Sequence, residues 1–253
     1  MSHSMVHYLT YKLPRTESPH FLRKFTNLQG FLVIIIYTMN RPIKFLVVTP
    51  FALFSLFSPT SGESVLAEHE LSLENRYEDR WVNEVFKDNI LLNLAYLRGA
   101  RPATGGVNWD EVKKPFDFEF KLDPNQTFAY HDDTLPKYEG RVVKTTNAHF
   151  NAQEGFRSSG YLFGDGVCHL ASLIYWVALD AGLEAEAPTN HNFMAIPDVP
   201  KEYGVSIYSN PFSKGSNTKQ NLYITNNKDK PITFKFQYKD GKVKVSVYAT
   251  KPS

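Results

Sequence analysis

The 253-residue chain has one cysteine, Cys168, so no disulfide can form within it. Its eight histidines show no HExxH or HxH spacing, which removes the common helical zinc motifs. It also lacks an apolar run of the roughly 20 residues that a membrane helix needs. The run from Phe45 to Phe57 is 13 residues long and is interrupted by Pro50. A broad excess of positive charge is missing too. Residues 1–67 hold six of the 28 Lys/Arg and two of the 26 Asp/Glu, leaving 22 against 24 in the rest. The basic balance belongs to the leader, and the body carries neither the charge nor a motif for nucleic acid. No internal repeat or low-complexity segment is present.

What is there begins with a leader. From Met39 the chain reads as a secretory signal: a short basic stretch (Arg41, Lys44), the apolar run, then a polar stretch ending in Val65 and Ala67. That layout predicts a start at Met39 and cleavage after Ala67. Translation of residues 1–38 instead gives a long leader whose two apolar runs, Gly30–Tyr37 and Phe45–Phe57, form a hairpin or an uncleaved anchor. Both readings put the body outside the cytoplasm, with membrane contact through the leader alone. Oxidising compartments favour disulfides, so a single cysteine there is free, joined to another chain, or reactive.

The body has the length for a full core. Residues 68–83 are charged and aperiodic and read as a linker. The domain is expected over residues 84–250. Phe86, Ile90, Leu94 and Leu97 fall at helical spacing, and Gly99 ends that helix. Residues 116–122 alternate as a half-buried strand, a DPNQ turn follows, and TFAYHD resumes the strand. Residues 133–160 form a long polar connection, a length that usually signals function. From Cys168 to Ala181 the apolar residues cover most of a helix's circumference, which predicts a central buried helix with Gly182 just past its end. The tail reads as strands: YGVSIYSN, NLYITNN, ITFKFQYKD and GKVKVSVYAT, the last ones as an antiparallel meander. The expected fold class is therefore α+β, a buried central helix on an antiparallel sheet with a C-terminal β-meander.

The chemistry gathers around Cys168. A thiol at a helix start meets free N–H groups and the positive end of the helix dipole, which favour thiolate. Gly164, Asp165 and Gly166 turn the chain just before it, and the backbone N–H groups near Gly166–His169 suit an oxyanion. His191, 23 residues on, is the candidate base. The bland alternative is a core cysteine on a buried helix, because cysteine is among the most buried residue types. Asp165 is expected to cap the helix. His169, Asn190, His149 and His131 complete the candidate binding residues. His131 and His149 with Asp132 and Asp133 could surround a metal, but the spacing matches no metal motif. Neither a metal nor a cofactor is expected. Tyr130, Phe150, Phe156, Tyr161, Phe163, Tyr175 and Trp176 are core residues with a few that could line a groove for sugar or peptide.

The stretch from Gly164 to His191 resembles the VanW family of bacterial cell-envelope proteins, whose best-known member is encoded in some vancomycin-resistance clusters. The family motif runs approximately G-G-G-[IV]-C-Q-x-S-[ST]-x-L-[YF]-x-A-x-L-x-A-G-L, then a histidine and a strand-rich tail. Gly164, Gly166, Val167, Cys168, Ser172, Ala178, Ala181, Gly182, Leu183 and His191 fit it, and the likeness extends over residues 84–248. Asp165 stands for the middle glycine, His169 for glutamine, and Asn192 where serine often follows the histidine. An aspartate of the family's tail falls at Gly204, leaving Asp198 or Glu202 as replacements if a carboxylate orients His191. The resemblance implies an envelope location and a link to peptidoglycan or glycopeptide response, with cell-wall peptide or glycan as the partner. It leaves three readings: a binding protein, a cysteine acyltransferase or hydrolase acting on peptidoglycan peptides, or a structural envelope module.

Overall fold

A computed structural model describes residues 63–100, 106–160 and 163–250, together with two short strands nearer the start. The chain divides into two units, Met1–Phe57 and Ser58–Ser253. In the first, β1 (Lys24–Thr26) pairs antiparallel with β2 (Leu32–Ile34). The signal-like run Phe45–Phe57 lies outside the described residues. Among the described residues, no helix is long and apolar enough to cross a membrane.

The second unit is α+β. It opens with β3 (Glu63–Ser72), followed by α1 (Arg80–Leu97). Asp79 caps α1 by accepting from the Trp81 and Val82 amides at 2.7 and 3.3 Å. The helix stops at Gly99, whose φ of 88° suits glycine. A single turn, α2 (Trp109–Val112), leads to β4 (Phe116–Leu122) and β5 (Thr127–Ala129). The long connection holds only β6 (Val142–Lys144) and two 3-10 turns, as its polar composition predicts. Helix α3 (Val167–Asp180) comes next, with Gly182 at φ 69° past its end. Then follow β7 (Glu184–Glu186), the short α4 (Lys214–Asn217), β8 (Tyr223–Thr225), β9 (Ile232–Lys239) and β10 (Lys242–Thr250).

The described strands of this second unit form two sheets, β3-β10-β9-β4 and β6-β5-β8-β7. Alternation fixes the register of the first. Val243, Val245 and Val247 stand opposite Tyr238, Phe236 and Phe234, and the last two stand opposite Phe118 and Phe120. This apolar face meets α3, which packs on β3, β10, α1 and β7. Leu170, Leu173, Ile174 and Val177 are fully buried there, as the apolar run predicts.

Three sequence expectations change. Residues 68–83 do not form a simple linker, because Glu68–Ser72 complete β3 and pair with Lys242–Ser246 of β10. The pattern was hidden because His69 and Ala67 share the inner alternation with Leu71 and Leu73. The last two tail strands pair antiparallel as expected, β9 with β10, but the strand before them, β8, belongs to the other sheet. YGVSIYSN is extended without being a strand. Alternate amides go to α3 side chains: Ser172 Oγ accepts from the Val205 amide at 2.9 Å and Cys168 Sγ from the Ile207 amide at 3.4 Å, while the Ser206 and Tyr208 amides donate to the Thr189 and Gln220 carbonyls.

Candidate functional site

Residues before α3 decide the shape of the site. Gly166 is the helix N-cap with φ 99°, and an added Cβ there would lie 2.9 Å from the Phe86 carbonyl oxygen. Only glycine lets α1 and the start of α3 approach this closely. Gly164, at φ 84°, would press a Cβ to 2.8 Å from Phe150. Asn89 of α1 is fully buried and holds the loop by donating to the Arg157 and Asp165 carbonyls at 3.0 and 2.8 Å. Tyr130 donates its hydroxyl to the Val167 carbonyl at 2.9 Å from the other side. Asp165 does not cap α3 as expected. Its carboxylate turns back to accept from the Ser159 amide and hydroxyl at 2.7 and 2.9 Å. With glycine at the cap position, no side chain caps the helix.

This loop floors a cavity of about 670 Å³. Cys168, His169, His191, Gly164, Asp165, Gly166 and His149 all line it, so most of the sequence candidates converge. His131 and Asn190 do not line it. His131 is fully buried in a separate network, its Nε2 donating to the Gln220 carbonyl at 3.0 Å. Asn190 is exposed and bridges to Val205. The cavity also takes residues the sequence did not mark, among them Tyr77, Phe86, Tyr208 and Met194. Tyr77 sits in the supposed linker and Phe86 looked like an ordinary core position, so no local signal set them apart. Of the aromatic residues that could line a groove, Phe150 and Phe163 do. Trp176 instead stacks between His69 and Tyr203, with ring centroids 3.5 and 5.5 Å away.

The thiol is half-buried and tied to the Ile207 backbone, donating to its carbonyl at 3.6 Å and accepting from its amide. Burial pushes the Cys168 pKa up to about 11, against the lowering effect of that amide. No hydrogen bond joins Cys168 to His191 among the described residues. His191 is 7% exposed, and its Nδ1 faces the Met194 carbonyl at 3.1 Å. A carbonyl can only accept, so Nδ1 carries the proton and Nε2 is a bare acceptor. The orienting group is thus backbone rather than a carboxylate. Asp198 is engaged elsewhere, with Arg76 at 3.3 Å and the Ser72 amide at 3.4 Å.

His169 is held in the opposite tautomer. Arg76, whose side chain is 1% exposed, donates to its Nδ1 at 3.1 Å, leaving Nε2–H for the Tyr77 hydroxyl at 3.4 Å. Burial, then the nearby Arg76 and His191, holds His169 well below the usual histidine range, and burial lowers His191. His149 differs. Burial would lower it, but Glu154 at 2.9 Å and Asp132 at 3.1 Å hold it above its ordinary value. Among the described residues, no group of three His, Cys, Asp or Glu side chains is placed to hold a metal.

The fold and site together define an α+β domain in which a glycine-capped apolar helix floors an aromatic cavity with a cysteine and two neutral histidines. The family model described as VanW like protein matches residues 119–248, just over half of the 253 residues. The chain belongs to this family, which is linked to vancomycin resistance. The match includes Cys168 and His191, while Tyr77 and Phe86 lie before it. No curated protein and no solved structure matches the chain.

Proposed function

We propose that this VanW-type protein is exported to the cell envelope and binds cell-wall peptide or glycan in the cavity, without covalent chemistry. One observation carries the preference for binding: Cys168 shares its hydrogen bonds with the Ile207 backbone and not with His191. A thiol nucleophile needs a base within hydrogen-bond reach or a lowered pKa. Here burial raises the pKa instead.

A Cys–His acyltransferase or hydrolase is the second reading, favoured because Cys168 and His191 face the same cavity. Calorimetric titration of a soluble peptidoglycan digest into the wild-type chain and into Cys168→Ala separates the two. The binding reading expects saturable binding that changes by less than about threefold in Cys168→Ala, with the digest unaltered by mass spectrometry. Turnover of the digest that disappears in Cys168→Ala establishes the enzyme instead. Absence of both binding and turnover removes both readings.

A further inference from the structure

The cavity's lining selects among cell-wall ligands. Among the described residues that line it, there is no lysine or arginine. The charged group at its wall is the Asp165 carboxylate, and the His149 ring is already engaged by the carboxylates Asp132 and Glu154. A stem peptide brings carboxylates of its own, and this site offers them like charge with no guanidinium or ammonium partner. The rest of the wall is aromatic or neutral. Phe163 and Phe193 stand at its rim, 54% and 75% exposed, while Phe86 and Phe150 lie deeper. Flat apolar faces beside neutral polar groups suit a sugar ring, whose C–H face is apolar and whose edge carries hydroxyls.

The polar groups at the floor narrow this further. His191 is more than nine-tenths buried, lines the cavity, and finds no partner in another described residue for Nε2. Beside it, α3 begins. The Val167 and His169 amides are used by the Gly164 and Gly166 carbonyls, but the Gly166 and Cys168 amides donate to no carbonyl among the described residues. The Cys168 amide serves its own thiol, so the floor offers a bare acceptor and one free donor, the Gly166 amide, next to apolar surface from Val167, Ile207 and Phe150. One small neutral group answers all three features: an acetamido group, with an N–H, a carbonyl and a methyl. Higher on the wall, the Tyr208 and Ser209 hydroxyls and the Asn151 amide nitrogen also take no hydrogen-bond partner among the described residues. They are available for sugar hydroxyls.

We infer that the cavity recognises the N-acetylated amino sugars of a glycan strand, with the acetamido group set between His191 Nε2 and the start of α3. This inference rests on the proposed binding function and assigns its ligand. The test titrates three probes into the full chain: the β-1,4-linked N-acetylglucosamine tetramer, the same tetramer de-N-acetylated, and a free stem pentapeptide. The acetylated tetramer should bind, the de-N-acetylated one at least tenfold more weakly, and the peptide not measurably. The exposed-rim variant Phe163→Ala/Phe193→Ala should keep its fold and bind the tetramer at least fivefold more weakly. Binding of the pentapeptide without the tetramer overturns the glycan assignment but leaves the binding function standing. Equal binding of the two tetramers overturns the acetamido contact, and binding unaffected by the rim variant places the sugar elsewhere. Binding of none of the probes, with a digest that also fails to bind, ends both the inference and the function beneath it.

Discussion

At the scale of single residues, environment overrides position. Cys168 stands in the first turn of α3, where a helix start ordinarily stabilises thiolate. Burial dominates and carries its pKa to about 11. Iodoacetamide should therefore modify the folded chain with a rate midpoint near that value. At pH 8 the reaction should run roughly a hundredfold slower than for a free cysteine of pKa about 8.5. Intact mass follows the single adduct, and a midpoint at or below 8 would restore the nucleophile. The same raised pKa makes the folded state the tighter binder of this proton, so its contribution is intact below the unfolded value and declines as pH rises towards 11. Arg76 is a second case. It is buried, with bonds to the Ser72 and Pro197 carbonyls, Asp198 and His169. Arg76→Met should cost about 3 kcal/mol or more in urea unfolding, because several acceptors lose their donor at once.

At the scale of elements, β3 bears on the expected cleavage after Ala67. The strand pairs with β10 from Glu63 to Ser72 and leaves an extra residue at Leu66 opposite the Val247/Tyr248 step. Lys235 of β9 reaches across to Glu63 at 2.9 Å. Cleavage after Ala67 would remove the first half of this strand and that ion pair. A chain beginning at Glu68 should be less stable than one beginning at Glu63 by about 2 kcal/mol, from a few ladder bonds worth about 0.5–1.5 kcal/mol each. That difference corresponds to a Tm lower by roughly 4–8 °C. Under the proposed export, a chain trimmed of its leader is expected to keep Glu63, which N-terminal mass analysis of the protein from cells checks. Equal melting temperatures for the two chains would remove this objection to a break after Ala67.

At the scale of the whole molecule, three histidines set the response to acid. His131, His169 and His191 are all lowered, burial being the largest cause in each. Their unfolded forms take up protons first, at about 6.5. Stability is thus complete above that value and is lost as pH falls through it towards the folded-state values. His149 works the other way, but it lies near the surface, where solvent screens the effect. The urea midpoint should be clearly lower at pH 5 than at pH 7.5. His169→Gln should flatten the slope even if it lowers stability at neutral pH. A wild-type midpoint independent of pH over that interval would contradict neutral burial of these rings.

The sequence by itself determined the α+β class, the central helix, the β9–β10 hairpin and the glycine–cysteine turn. Each is written in local terms: an apolar run with a 3.6-residue period, alternation by two, and glycines where φ turns positive. Cys168 and His191 were legible as candidates, and both line one cavity. Tertiary structure alone decided what those residues can do. It brought Arg76 and Tyr77 from a charged, aperiodic segment onto His169, gave Cys168 the Ile207 backbone as its partner, and turned Asp165 onto Ser159. It also moved β8 into the second sheet and took YGVSIYSN out of the strands. Local pattern sets which way a side chain points along its own element. Desolvation and hydrogen-bond partners come from residues distant in the chain, and they fix tautomer, pKa and ligand chemistry.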